Sequence, residues 1–312
     1  MLISLIVPCY NEEESLPFLY NALCDVRSAE TSYDFEFIFI DDGSKDRTKE
    51  VIKGLAEKDK DVRYVVFSRN FGKESAMYAG LQKSKGDYVA ILDADMQDPP
   101  SLIPSMIRSL ENDEADIVAA RRVNREGEPK IRSFFARMFY RLINRMIEVE
   151  IADGARDFRL MRRCVVDAIL ELSERQRFSK GIFAWVGFRT KWIAHQNVER
   201  VAGETKWSFW KLFKYAIDGI VSFTVAPLRL ATYCGFASAF AGFTYMLYYF
   251  IRAIILRIYN DVPGYPSLLC FILFIGGLIL MALGVLGEYI GRTFLEVKRR
   301  PVYIKAEEDS RK

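Results

Sequence analysis

The 312 residues carry 44 Lys and Arg against 41 Asp and Glu, and a net charge of +3 gives no bulk attraction for nucleic acid. Five cysteines without a Cys-x-x-Cys pair exclude a disulfide framework and a zinc ribbon. The single histidine, His195, excludes a His-rich metal site and reads as a half-buried polar residue rather than the base of a triad. Hydrophobic residues make up 51% and charged residues 27%, yet the uncharged length is concentrated after residue 229, which excludes a purely soluble protein.

Met1 to Tyr10 is apolar but lacks the basic start and the length of a signal peptide, so folded protein is expected from the first residues. Short β-rich runs follow at Leu2–Val7, Phe35–Ile40, Val62–Phe67 and Tyr88–Leu92. They alternate with helical spacing over Glu13–Val26, Arg47–Lys58 and Lys73–Gln82. Strand and helix in alternation predict an α/β domain with a mostly parallel sheet. Continuous rather than alternating hydrophobicity in the strands means that both faces are covered. Ligands of such sheets bind beyond the carboxyl ends of the strands, so the chemistry is expected after Val7, Ile40, Phe67 and Leu92.

Three of those positions carry polar clusters. Pro8-Cys9-Tyr10-Asn11-Glu12-Glu13 forms a turn into a helix that Asn11 is placed to cap. Asp41-Asp42-Gly43-Ser44 puts two carboxylates at the ligand edge, although an Asx turn explains the same residues. Asp93-Ala94-Asp95-Met96-Gln97-Asp98-Pro99-Pro100 presents two carboxylates one residue apart, oxygen ligands for a hard divalent cation that also holds phosphate, and the prolines start the next helix. Response-regulator receivers also place acids at strand ends, but their acidic pair follows the first strand and no membrane hairpin is attached.

Further along, Ile131, Phe134, Phe135, Met138, Phe139, Leu142, Ile143, Met146 and Ile147 recur at steps of three and four, with Arg132, Arg137, Arg141 and Arg145 between them. This basic amphipathic helix suits either a domain surface or a membrane interface. Trp207, Trp210, Phe213, Ile217 and Ile220 against Lys211 and Lys214 repeat the pattern at headgroup level. Leu230–Ile251 and Val262–Gly287 are uncharged over 22 and 26 residues and are expected to cross the bilayer as a hairpin that turns near Tyr259–Pro266. Arg229, Arg292, Lys298, Arg299 and Arg300 put the soluble domain and the carboxyl tail on the cytoplasmic side, against Arg252 and Arg257 on the other. Lys305–Lys312 reads as a disordered end.

Taken in order, these strings resemble glycosyltransferase family 2, most closely its membrane-bound polyprenyl-phosphate glycosyltransferases. The matching residues run from Pro8-x-Tyr10-Asn11-Glu12 through Asp41-Asp42-Gly43-Ser44, Ser68-Arg69-Asn70-Phe71-Gly72-Lys73 and Asp93–Pro100. They continue through Asp153-Gly154-Ala155-Arg156-Asp157-Phe158-Arg159-Leu160 to Gly203-Glu204-Thr205-Lys206. The Gln-x-x-Arg-Trp signature of the processive synthases has no match, the nearest string being Gln176-Arg177-Phe178. The resemblance implies a glycosyltransferase A fold with a two-helix membrane hairpin. It implies nucleotide-sugar contacts from Pro8, Tyr10, Glu12, Asp42, Asp93 and Asp95, with Mg²⁺ or Mn²⁺ held by Asp93, Asp95 and Gln97. Asp157 falls at the catalytic acidic position, and Arg122 and Lys206 neutralise donor or acceptor phosphate.

On this reading residues 1–205 are the cytoplasmic transferase, 206–228 an amphipathic juxtamembrane segment, 229–291 two spans and 292–312 a basic tail. The expected reaction is inverting transfer of a single sugar, glucose or N-acetylglucosamine first, from a UDP-sugar to undecaprenyl phosphate for cell-envelope glycan modification. The bilayer is a partner, nucleic acid is not, and a homo-oligomer is allowed. Two alternatives stay open: a family 2 transferase with another lipid or glycan acceptor, and a non-catalytic membrane-anchored nucleotide-sugar sensor.

Overall fold

The computed structural model describes residues 1–122, 155–172, 174–195, 221, 224–251 and 265–309. The chain divides into two units, Met1–Gly219 with Arg300–Lys312, and Ile220–Arg299. The basic helix expected over 131–147, the Trp and Lys segment over 207–220, Lys206 and residues 259–264 of the expected turn lie outside the described residues, while Tyr265 and Pro266 belong to a helix.

The first unit is built on β1 (Leu2–Cys9), α1 (Leu16–Ala29), β2 (Asp34–Asp41), α2 (Thr48–Lys58), β3 (Val62–Phe67), α3 (Lys73–Lys83) and β4 (Tyr88–Ile91). A short 3₁₀ turn at Pro100–Leu102 then leads into α4 (Ile103–Glu111), as the paired prolines suggest. β1 pairs in parallel with β2 and with β4, and β2 with β3. Seven of the eight residues of β1 are buried, so both faces of the sheet are covered, and the first three predicted crossovers are present. Gly80 of α3 lies so close to β1 that a Cβ there would stand 2.1 Å from Ile6 Cγ2, which fixes a residue without a side chain at that contact.

β5 (Ile117–Arg122), β6 (Ala155–Arg162), α5 (Arg163–Glu171), α6 (Ser179–Trp185) and β7 (Thr190–His195) complete one side of the sheet. β6 runs antiparallel between β4 and β5, while β7 is parallel to β5. None of these strands was evident as an apolar run. β6 reads Ala-Arg-Asp-Phe-Arg-Leu-Met-Arg, and its charges hide a strand whose Phe158, Leu160 and Met161 are fully buried. Arg159 is buried with them, its guanidinium 3.6 Å from the ring centroid of Phe183.

The chain end departs from expectation. Lys305–Glu308 is no disordered tail but a strand, β8, antiparallel to β3 at the far edge of the sheet, whose full order is β7-β5-β6-β4-β1-β2-β3-β8. Two contacts the sequence does not announce hold it. Tyr303 stacks on Phe67 with ring centroids 4.7 Å apart, and Glu307 pairs with Lys49 at 2.9 Å and with Lys53. A chain ending at Pro227 therefore loses a strand of this sheet as well as the second unit, and bares the β3 edge. Such a chain is expected to melt lower than the full-length protein and to self-associate. Calorimetry and size-exclusion chromatography check this, and an unchanged melting temperature with a monomeric profile would refute it.

In the second unit, α7 (Ala226–Phe250) and α8 (Tyr265–Val297) overlap the two uncharged runs, α8 continuing ten residues past Gly287 through Glu288, Arg292 and Glu296. Tyr289 Oη donates to the Thr224 carbonyl at 2.5 Å. Leu230, Phe236, Phe240, Leu280 and Met281 are exposed, a surface suited to lipid rather than water. Phe274–Val297 is long and apolar enough to cross a membrane, with a mean hydropathy of 1.8.

Candidate active site

The sheet reverses its order at β1, with β2 and β3 on one side and β4 on the other, and the crevice at such a switch point is where open α/β sheets bind ligands. Each strand there ends in a turn containing a residue of positive φ: Asn11 after β1, Gly43 after β2, Gly72 after β3 and Met96 after β4. Two of the four are not glycine, a local cost typical of loops shaped for a task.

Asn11 does not cap α1. Its side-chain oxygen accepts from Lys45 N at 2.8 Å and its own N–H donates to Ser44 Oγ at 2.9 Å, so it ties the β1 turn to the β2 turn. The start of α1 is held instead by the Glu12 carbonyl, which accepts from Ser15 and Leu16. Glu12 N donates to Thr48 Oγ1 at 2.8 Å, and its carboxylate accepts from Ser15 Oγ at 2.7 Å. Pro8 is buried within β1, and Tyr10 is half-buried at its end.

The two acids after β2 divide the work. Asp41 makes the Asx turn, accepting Ser44 N at 3.1 Å. Asp42 accepts Phe71 N at 2.6 Å and Gly72 N at 2.9 Å, which binds the 68–72 loop to the end of β2. Gly43 is pressed against that loop: a Cβ would stand 2.4 Å from the Arg69 carbonyl carbon, and φ is +65°. Burial raises the Asp42 pKa to about 6, against the two backbone N–H donors.

Across the switch point, Lys73 Nζ lies 2.5 Å from Asp93 Oδ1 and 2.5 Å from Asp157 Oδ2. The first turn of α3 thus joins the end of β4 to β6. Burial opposes the charge on Asp157, but Lys73, Lys180 and Arg159 outweigh it and hold the carboxyl well below the usual range. Burial also disfavours the ammonium, and here Asp157 and Asp93 prevail and raise Lys73 above an ordinary lysine. Asp93 is pushed up by burial against the pull of Lys73. Asp95 Oδ1 accepts Gln97 N at 3.2 Å, and Gln97 Oε1 accepts Arg156 Nη2 at 3.1 Å.

Among the described residues no trio of His, Cys, Asp and Glu gathers into a metal cage. The oxygen donors of Asp93 and Asp95 still fit a hard cation, since Mg²⁺ is commonly held by one or two carboxylates together with substrate phosphates. His195 is buried at the end of β7, its Nε2 2.9 Å from Asp98 Oδ1, and Arg156 Nε is 3.5 Å from the same oxygen. Arg122 ends β5 in register with His195.

Residues 4–170 match the description of glycosyl transferase family 2. The chain belongs to glycosyl transferase family 2. Residues 226–293 match a second description, the GtrB C-terminal hairpin. A prophage bactoprenol glucosyl transferase homolog of Escherichia coli K12 is 44% identical over 97% of this chain and 98% of its own length. The bactoprenol glucosyl transferase of Shigella phage SfII is 44% identical, with 97% of each chain covered. A putative glycosyltransferase of Bacillus subtilis, CsbB, is 43% identical over 97% of this chain and 91% of that one.

Within this family 2 domain, Lys73 stands in the Ser68–Lys73 string with nothing in the sequence to give it a role. A lysine at a helix start carries no signal until the fold sets it between two acids 20 and 84 residues further on. Glu74 beside it was missed as well. Its Oε2 accepts Ser179 N at 3.0 Å and the Ser179 hydroxyl, which ties α3 to the start of α6. Burial, with the nearby Asp157 charge, raises the Glu74 pKa from 4.5 to about 7. A raised carboxyl keeps its proton in the folded state while the unfolded chain has lost it, so this site is stabilising at low pH and loses that advantage between about pH 4.5 and pH 7. Glu74→Gln keeps an acceptor for Ser179 without titrating. It is expected to gain about 1–2 kcal/mol over the parent between pH 5 and pH 8. Denaturant titrations at both pH values read this directly, and a constant difference would contradict it.

Proposed function

We propose that the chain transfers one sugar, glucose or N-acetylglucosamine first, from a UDP-sugar to the phosphate of a polyprenol, with inversion at the anomeric carbon. The observation that carries this reading is the Asp93–Lys73–Asp157 bridge beside the Asp42 edge, a fixed cation between two acids at the strand ends, which supports a site for a departing diphosphate. The acceptor follows from the relatives that are named bactoprenol glucosyl transferases and from a transferase domain carried by an apolar hairpin.

In this mechanism Pro8, Tyr10, Glu12 and Asp42 hold the nucleoside, and Asp93 and Asp95 face the diphosphate, with Gln97 as a further oxygen donor. A bound Mg²⁺ or Mn²⁺ supplies charge neutralisation on the diphosphate. A phosphate oxygen of the acceptor attacks C1 as the C1–O bond to UDP breaks, and UDP leaves with the electron pair. That nucleophile is largely ionised at neutral pH, its second pKa being near 6, so little proton abstraction is required. Asp157 suits that requirement. A carboxyl held well below its ordinary pKa is a poor base, so Asp157 works by fixing Lys73 and balancing Arg159 and Lys180. Arg122 and Lys206 are assigned to phosphate by the family resemblance.

The return of β8 to the catalytic sheet supports an even number of crossings between residues 219 and 300, hence a two-span hairpin in the cell membrane. Arg229, Arg292 and Lys298–Arg300, against Arg252 and Arg257, support a cytoplasmic catalytic unit. Full-length protein in vesicles containing undecaprenyl phosphate, given UDP-glucose or UDP-N-acetylglucosamine with Mg²⁺ or Mn²⁺, is expected to release UDP only when the lipid phosphate is present. UDP binding without turnover would favour a sensor, and repeated sugar addition a glycan acceptor.

A further inference from the structure

The strand that follows the membrane unit begins next to the nucleotide edge, where Lys305 lies opposite Phe67. Ser68 N donates to the Ile304 carbonyl at 2.9 Å, so the backbone leading into β8 holds the first residue of the 68–72 loop. One residue earlier, the Tyr303 ring stacks on Phe67 at 4.7 Å with 19° between planes, while its hydroxyl donates to Gln82 Oε1 at 3.0 Å. Phe67 meets Phe71 edge-on, with centroids 5.8 Å apart, and Arg69 covers the other ring at 4.1 Å from the Phe71 centroid. Phe71 N and Gly72 N are the donors that grip Asp42. An uninterrupted run of contacts therefore leads from Tyr303 through Phe67 and Phe71 to the Asp42 carboxylate.

We propose that Tyr303 is a positioning residue of the nucleotide site: its ring sets Phe67 and Phe71 so that the 68–72 loop presents two N–H groups to Asp42. The loop has few alternatives to this support. Gly43 rests against the Arg69 backbone with no room for a Cβ, and an aromatic stack contributes rigidity beyond the area it buries. Without the Tyr303 ring, Phe67 loses the partner on its open face and the loop relaxes away from Asp42. The carboxylate then exchanges fixed N–H donors for water and adopts several orientations. Donor affinity is in this way tied to the segment that leaves the membrane unit, so a chain lacking Tyr303 would bind nucleotide poorly even with every strand-end motif intact.

The inference rests on the reading of Asp42 as a nucleotide contact, and the test separates the two. UDP, with Mn²⁺, is titrated by calorimetry into full-length protein in detergent for the parent, Tyr303→Ala, Tyr303→Phe, Asp42→Ala and the Tyr303→Ala/Asp42→Ala double variant. Tyr303→Ala is expected to raise the Kd about fivefold and the donor KM in step, with kcat at saturating donor within twofold. Tyr303→Phe, which keeps the stack and loses only the Gln82 bond, should stay within twofold. In the double variant the Tyr303→Ala loss should vanish, because its route runs through Asp42. Parent affinity in Tyr303→Ala with weakened binding in Asp42→Ala would overturn the positioning role alone, as would full additivity in the double variant. Parent affinity in Asp42→Ala would overturn the nucleotide contact and this inference together. Should Tyr303→Ala not fold, Tyr303→Leu refills the volume without a ring, and parent affinity there would overturn the proposal.

Discussion

Asp157→Ala is expected to lower kcat by about 10²–10³-fold, the loss typical of one preorganised electrostatic group, with little change in the affinity for UDP. Asp157 is one of two acids that hold the Lys73 ammonium, and its removal leaves that charge to Asp93 alone. Asp157→Asn keeps an oxygen that can accept from Lys73 Nζ but gives up the negative charge, so it should lie between the alanine variant and the parent. The pH dependence separates this account from general-base catalysis. Because Lys73, Lys180 and Arg159 outweigh burial and hold the carboxyl far below neutral, Asp157 contributes no limb to a kcat profile between pH 6 and pH 9. A limb in the parent that disappears in Asp157→Asn would show proton abstraction instead, and equal, complete loss in both variants would remove the positioning account. Parent rates in both would take Asp157 out of the site.

Asp95→Asn carries the second large effect, a loss of turnover of at least about 10²-fold with the fold intact. The side chain sits in the turn after β4, where its Oδ1 accepts Gln97 N, and an asparagine oxygen can keep that bond. What disappears is the anionic charge that the proposed mechanism sets against the diphosphate and its cation, so the variant should recover part of its rate as the divalent cation concentration is raised. Asp93→Asn should be damaging too, because it also releases one side of Lys73. Near-parent activity of Asp95→Asn at limiting Mn²⁺ would contradict a metal role for this acid.

The sheet was legible where burial on both faces makes a strand read as an unbroken apolar run, as in β1 to β4. It was not legible in β6, where Arg156, Asp157 and Arg159 alternate with core residues because the strand carries site chemistry and packing together. β8 escaped for a different reason. Lys305, Glu307 and Glu308 read as a solvated end, yet as an edge strand they need only a partner's backbone and lysines opposite, which Lys49, Lys53 and Lys83 provide. At the site, Asp41, Asp42, Asp93 and Asp95 could be found because they follow apolar strands. Lys73 and Glu74 open a helix and acquire their surroundings only when β6 and α6 fold against them. His195 was read as half-buried and is buried, its nearest acid being Asp98, 97 residues earlier in the chain.

The central claim is that the strand-end acids and Lys73 serve sugar transfer to a lipid phosphate. Full-length protein in vesicles, supplied with a UDP-sugar and Mg²⁺, should be compared on undecaprenyl phosphate and on undecaprenol, with the lipid products read by mass spectrometry. The account predicts a single sugar joined through phosphate on the first lipid, no product on the second, and loss of the product in Asp157→Ala. A glycosylated undecaprenol, or no lipid product from either acceptor while UDP still binds, would contradict it.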